Sequence, residues 1–204
     1  MHIPKSTTLS MSVLSFEEAL CGADEKEYDT NDWIYVPDFY SEYRYILGTR
    51  GEKPLICIGI NPSTAEPDHL DNTLSSVQRI AKNNGYDSFI MFNVYAQRAT
   101  DPDHMEKECN LFLHRENMKA FEYILASSKS GFPSIWAAWG TIIEKRPYLA
   151  GCVRDMIEIG KAYSANWYTV GTRSKKRGHP HHPLYLKKNS LLHPFDIEAY
   201  IQTL

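Results

Sequence analysis

The chain has 204 residues, 43% hydrophobic and 23% charged, the composition of an ordinary globular domain long enough to bury a core without disulfides or metal. Its four cysteines, Cys21, Cys57, Cys109 and Cys152, form no CxxC pair, which argues against a zinc or dithiol signature and for a reducing, cytoplasmic setting. No run reaches the roughly 18 apolar residues of a membrane span, and Met1–Leu14 lacks the basic start and apolar core of a signal peptide.

The net charge of −3 is unevenly spread. Residues 1–43 hold nine acids and two bases, a net −7, and read as an acidic N-terminal extension; residues 44–204 carry +4 and read as the α/β domain. A short helix is expected near Ser15–Leu20, with Ser15 and Glu18 in a capping box. Leu55–Ile60 is a continuous apolar run closed by Asn-Pro, a buried strand. Thr73–Asn84 reads as a helix ending before Gly85. Ser88–Tyr95 is a second buried strand, and Met105–Ser127 a long helical stretch broken near its start. Ser134–Trp139 is a third strand and Thr141–Ile159 a helix that Pro147 starts or kinks. Asn166–Val170 is the fourth strand, stopped by Gly171, and Pro194–Gln202 a closing helix.

This alternation predicts a three-layer α/β/α fold around a central, mainly parallel four-stranded sheet. In such sheets ligands bind beyond the carboxyl ends of the strands. The rule selects Asn61–Asp71, Asn93–Asp101, Gly140–Thr141 and Gly171–Tyr185. In the first of these, Gly59 permits close approach, Pro62 stiffens the turn, and Asn61 presents a carboxamide. Asp71 is either a carboxylate beside that carboxamide or the N-cap of the following helix. Between Thr172 and Lys188 lie Arg173, Lys175, Lys176, Arg177, Lys187 and Lys188 with no acid, a stretch that reads as a solvated loop or a phosphate-contacting face. Arg98 and Asp101 are expected to pair. Trp136 and Trp139 are expected in the core. The histidines of the Pro-rich loop lack metal-ligand spacing, and phosphate-loop, dinucleotide and nucleophile-elbow motifs are missing.

Arg44-Tyr45, Asn61-Pro62-Ser63-Thr64-Ala65, Asp71-Asn72-Thr73, Gly85-Tyr86, Asn93-Val94-Tyr95-Ala96, Arg98-Ala99-Thr100-Asp101-Pro102, Ala138-Trp139-Gly140 and His182-Pro183-Leu184-Tyr185-Leu186 follow one another in order. Together they resemble the domain-of-unknown-function 1643 family of bacterial and phage proteins. More distantly, the same pieces resemble the uracil-DNA glycosylase superfamily. Its mismatch-specific branch carries Gly-Ile-Asn-Pro-Gly after the first strand; Gly59, Ile60, Asn61 and Pro62 match, and Ser63 departs.

That resemblance implies a uracil-DNA glycosylase-like fold and a monofunctional DNA glycosylase needing no cofactor, metal or protein partner. Its partner would be DNA, with the base flipped from a duplex or taken from a single strand. Asn61 would position water, with Asp71 assisting, and Asn93 would read the base. His182, or His179 in a rival alignment, would stabilise the departing base. Gly59, Ile60, Pro62 and Ser63 would line the pocket, and Ser63 is too small to exclude a 5-substituted pyrimidine of the phage type. Leu184 and Tyr185 would wedge the duplex between Arg173, Lys175, Lys176, Arg177 and Lys187 on its phosphates. A role in phage defence is among the implications. A nucleotide or nucleoside hydrolase or transferase, and a silent nucleic-acid-binding module, are the alternatives.

Overall fold

Leu55-Ile56-Cys57-Ile58 is apolar on both sides of an extended chain, so it is satisfied only between two covered faces of a sheet, and there it lies. The computed structural model describes residues 11–22, 26–129 and 131–204, apart from the side chain of Tyr185. In chain order the elements are α1 (Phe16–Cys21), β1 (Trp33–Val36), β2 (Ile46–Thr49), β3 (Pro54–Gly59), α2 (Asn72–Asn83), β4 (Ser88–Asn93), α3 (Leu111–Ala126), β5 (Ser134–Ala137), α4 (Pro147–Ala162), β6 (Asn166–Val170), β7 (Leu192–Pro194) and α5 (Ile197–Ile201). Short 3-10 turns occupy Pro102–His104, Gly140–Glu144 and Pro183–Tyr185.

The result is a mixed α/β protein built on one seven-stranded sheet, in the order β1-β2-β4-β3-β5-β6-β7. The four strands read from the sequence are neighbours and run parallel: β3 pairs with β4 and β5, and β5 with β6. The expectation of four strands is corrected by three antiparallel additions. β1 pairs with β2, β2 with β4, and β7 with β6. These strands span three or four residues, too short for alternation to declare itself, and β1 falls in the acidic region. The closing helix is likewise shorter than expected. Its first residue, Pro194, ends β7, and α5 begins only after Asp196, whose side chain accepts from Ala199 N. α3 starts at Leu111 because Asn110 Oδ1 accepts from the amides of Phe112 and Leu113, leaving Met105–Asn110 outside the helix. Pro147 starts α4 and does not kink it.

Alternating strand residues feed two cores on opposite faces of the sheet. Ile56, Ile58, Phe92, Ile135 and Ala137 pack with Phe16 of α1, Phe121 of α3, Leu149 and Met156 of α4 and Ile197 of α5. Leu55, Cys57, Phe89, Met91, Trp136 and Ala138 pack with Leu74, Val77 and Ile80 of α2. Each such fully buried aliphatic or aromatic side chain contributes about 1.5–3 kcal/mol. Trp136 and Trp139 are both buried in these cores, as expected. No helix among the described residues is long and apolar enough to cross a membrane.

The region before Arg44 joins the same architecture through α1 and β1. Ser15 Oγ accepts from Glu18 N (3.2 Å), and Glu18 Oε2 accepts from Ser15 N (2.8 Å), closing the capping box. Buried Glu116 of α3 accepts from Phe16 N (2.9 Å). Ser15→Ala should therefore lower unfolding free energy by about 1 kcal/mol, read as a lower urea midpoint at unchanged slope.

Candidate functional site

The parallel strands end on one side of the sheet, and their last residues set the site. Gly59 and Asn93 are register partners at the ends of β3 and β4. Backbone pairing runs one step further, Val94 N to Gly59 O and Tyr95 N to Ile60 O, before the chains diverge into loops. Alternation places Gly59 and Asn93 on the α2 face, in line with Cys57 and Met91. A Cβ on residue 59 would lie 2.5 Å from Met91 Cε and 3.3 Å from Asn93 Oδ1, so glycine keeps open the space above the Asn93 carboxamide. Asn93 is fully buried, and neither Oδ1 nor Nδ2 has a hydrogen-bond partner among the described residues. The nearby carboxamides are engaged through their nitrogens: Asn117 Nδ2 donates to Asn93 O (3.0 Å), and Asn61 Nδ2 donates to the carbonyls of Ala99 and Pro62, while Asn117 Oδ1 is buried without a partner among the described residues.

Those bonds hold the Asn61 nitrogen, leaving its Oδ1 without a partner among the described residues. Ile60, expected to line the pocket, is corrected: its side chain belongs to the opposite core. Ser63 Oγ donates to Asp71 Oδ2, and Asp71 Oδ1 caps α2 by accepting from Leu74 N (2.8 Å). Both oxygens of Asp71 are thereby committed, which favours the capping reading over a free base.

Two arginines fix this loop from behind. Arg98 Nη1 donates to the carbonyl of Ser63, Arg98 Nη2 donates to Tyr35 Oη (2.9 Å), and Arg44 Nη1 donates to the carbonyl of Ala65 (2.8 Å). Both are buried, at 0% and 1% exposure. The expected Arg98–Asp101 pair is absent. Asp101 instead accepts from Asp103 N (2.9 Å), capping a 3-10 turn, while Arg98 turns inward beneath the Tyr40 ring, 4.4 Å from its centroid. Sequence reasoning missed this role because an arginine beside an aspartate reads as a surface pair; the signal available for Arg44 was its place between Tyr43 and Tyr45.

The two histidines separate. His179 is 2% exposed, its Nδ1 lies 2.8 Å from Tyr200 Oη, and its Nε2 lies 3.3 Å from Glu144 Oε1. Tyr200 in turn accepts from Trp139 Nε1 (2.9 Å), and both residues belong to the core opposite α2. His179 therefore stands apart from Asn93. His182 sits over the α2 side, 3.6 Å by its Cβ from the Cβ position of Gly140, whose φ of +63° turns the chain after β5. Ser76 of α2 anchors the turn by donating to Pro183 O (2.9 Å). His182 Nδ1 accepts from Leu184 N (3.3 Å), which leaves the ring proton on Nε2. Burial, and secondarily His181, lower its pKa, while Asp71 opposes the shift. His182 is thus a neutral donor electrically coupled to Asp71.

Beyond β6, Arg173, Lys175, Lys176, Arg177, Lys187 and Lys188 are exposed. Arg173 lies over the Phe195 ring (5.5 Å) and Arg177 lies 3.4 Å from Glu144, whereas Lys175, Lys176 and Lys187 form no ion pair among the described residues. Leu184 is half-buried on its 3-10 turn, and the Tyr185 side chain lies outside the described residues.

Fold and site define a mixed α/β protein with a polar cluster at the carboxyl ends of its parallel strands. Residues 44–184 match the family model described as protein of unknown function (DUF1643), and the chain belongs to this family. No curated protein and no solved structure gave a match.

The His182 shift predicts a pH dependence. Its folded pKa lies below the ordinary 6.5, so below that pH the unfolded chain binds more protons than the folded one. The stability it contributes is present above 6.5 and is lost as pH falls towards the lower folded value. His182→Gln should flatten that part of a stability-versus-pH curve; parallel curves of unfolding free energy against pH for the two proteins between pH 7 and 5, taken from denaturant titrations, would exclude this account.

Proposed function

We propose that the protein is a monofunctional DNA glycosylase that hydrolyses the N-glycosidic bond of a modified pyrimidine and leaves an abasic site. The observation that carries the reading is the Asn93 carboxamide, buried with both heteroatoms unpartnered beside Gly59. Burying such a group unpaired costs about 1–3 kcal/mol, and a donor beside an acceptor matches the hydrogen-bonding edge of a pyrimidine. The finer architecture belongs to the same reading: the parallel core β4-β3-β5-β6 with helices on both faces is the glycosylase-like part, and β1, β2 and β7 extend it.

In this reaction water attacks the sugar carbon and forms the new carbon–oxygen bond, the carbon–nitrogen bond breaks with its electron pair leaving on the base, and the attached water releases one proton to solvent while the departing base takes one up from it. Asn61 Oδ1 accepts a hydrogen bond from the water and orients it. His182 Nε2–H donates to the oxygen on which the base's negative charge develops, as an oxyanion-hole donor does. Asp71 is a positioning residue: it holds Ser63 and the first turn of α2, and its charge acts on His182. The small Ser63 suits a base with a bulky 5-substituent, including the modified pyrimidines of phage DNA. His179 has a structural role beside Tyr200. The exposed Arg173, Lys175, Lys176, Arg177 and Lys187 contact phosphates, and the turn bearing Leu184 and Tyr185 enters the stack. Because the Asn93 carboxamide is shut from solvent, base entry requires the surrounding loops to part.

Duplexes and single strands bearing uracil, 5-hydroxymethyl and glucosylated pyrimidines, scored for alkali-labile sites, test the reading. His182→Ala should lower the cleavage rate by about 10²–10³-fold. Asn93→Val should abolish product yet leave the melting temperature equal or higher, since it removes an unsatisfied buried amide. DNA binding without abasic sites on any substrate would instead favour a silent binding module. The Arg173/Lys175/Lys176/Arg177 quadruple alanine variant should show a shallower dependence of log affinity on log salt, by about 0.9 for each duplex phosphate it no longer neutralises.

A further inference from the structure

Two of the most deeply buried charged side chains among the described residues have no counter-ion touching them. Arg44 and Arg98 form no ion pair among the described residues, although both are almost wholly removed from solvent. Of their six nitrogens, three make the bonds to Ser63 O, Ala65 O and Tyr35 Oη already described; Arg44 Nε, Arg44 Nη2 and Arg98 Nε have no partner among the described residues. The two free atoms of Arg44 are the side-on edge of the guanidinium, the pair of parallel N–H groups that grips two oxygens of one carboxylate or phosphoryl group. An entire fork is therefore buried and unengaged, with a second guanidinium beside it. Burial, and next Arg98, push the Arg44 pKa down to about 9, with Tyr35 and Asp71 opposing. That is the signature of a cation short of negative charge.

Nearby carboxylates do not fill the fork. Asp71 is within electrostatic reach of Arg44, but its oxygens are taken by Leu74 N and Ser63 Oγ. Glu66 Oε1 accepts from Tyr35 Oη (3.3 Å). A cleft of about 490 Å³ beside Tyr35 and Tyr40 is lined by Glu27, Asp38, Glu66 and Asp68 together with Lys26, which pairs with Asp38, and His69, so its carboxylates outnumber its cations and it disfavours anions. Arg44 holds Ala65 O and Arg98 holds Ser63 O, and the hydroxyl of that same Ser63 bonds Asp71, so the fork adjoins the loop of the candidate site; the charge of Asp71 acts on both Arg44 and His182.

We infer that the Arg44 edge, supported by Arg98, is an oxyanion subsite that receives a carboxylate or phosphoryl group carried by the substrate. The site stands on the geometry of the two arginines; placing its ligand on a pyrimidine rests on the glycosylase reading. Two sources share this chemistry. One is an anionic substituent at the ring's 5-position, for which the small Ser63 leaves room, and the other is the nucleotide's own phosphate.

The test titrates the full chain with uracil, 5-carboxyuracil, deoxyuridine, deoxyuridine 5′-monophosphate and inorganic phosphate, following the Arg44 Nε–H resonance and the heat of binding. At least one anionic ligand should bind about tenfold or more tightly than its neutral parent, as a charge-assisted bidentate contact allows, and shift that resonance. Preference for 5-carboxyuracil over uracil assigns the ring substituent; preference for the monophosphate over deoxyuridine assigns the phosphate. Arg44→Lys, which keeps the charge and loses the fork, should shrink the ratio. Should that variant fail to fold, the wild-type ratios still decide. Equal affinities within each pair, no binding at all, or binding of inorganic phosphate alone (an adventitious ion only) would overturn the subsite. An anionic preference without abasic sites from any DNA would instead overturn the glycosylase reading and leave the subsite standing.

Discussion

The arrangement of this site depends on two buried guanidiniums gripping backbone carbonyls. Arg98 holds Ser63 O and Arg44 holds Ala65 O, and between them they define the path of the chain after Pro62. A hydrogen bond from a charged donor is worth about 1.5–3 kcal/mol, whereas taking each charge out of water costs several kcal/mol. The clamp is therefore no gain for stability alone. What it secures is position. Asn61 donates to Ala99 O from the loop so held, Ser63 presents its hydroxyl to Asp71, and Asp71 starts α2. Through α2, Ser76 fixes the turn that carries His182.

The parallel centre of the fold was legible because burial on both faces forces continuous apolar runs, and LICIGI, SFIMFN and SIWA contain little else. The antiparallel margins were not. WIYV lies among acids, ILGT contains a glycine, and LHP is three residues long, so pairing with a neighbour, and not local pattern, makes them strands. For the site, Asn61, Asn93 and His182 were legible as polar residues at strand ends. The distinction between His179 and His182 was not, since it depends on which side of the sheet each reaches, and Tyr200, twenty-one residues away, decides the first. Arg98 was illegible in its role, because a linear sequence does not tell a buried arginine bound to carbonyls from an exposed one bound to an acid, and for Arg44 the flanking Tyr43 and Tyr45 hinted at burial but not at what it binds.

Asn93, the two arginines and Asp71 illustrate opposite ways of treating a buried polar group. Asp71 is saturated and structural. Asn93 is left unsatisfied, as is one edge of Arg44. Unsatisfied groups are rare in folded proteins, and here Asn93, the Arg44 edge and Arg98 Nε gather beyond the same strand ends. On the proposed reading their cost is recovered when the base enters, and the groups that weaken the fold are the ones that would select it. His182, neutral and holding its proton on Nε2, adds a donor that keeps its character across neutral pH.

The placement of β1 and β7 has a consequence of another kind. The segment 44–184 that matches the family model contains β2 through β6 and neither outer strand. Within the sheet, β1 covers the free side of β2 and β7 covers the free side of β6. Cut to the matched segment, the chain would present two raw sheet edges, each a template for pairing with another copy. The covering strands are poor templates themselves: β1 spans four residues and runs into Pro37, and β7 ends at Pro194, a residue with no amide hydrogen to offer. The flanking sequence thus acts as a guard against self-association, a task separate from whatever the strand ends bind.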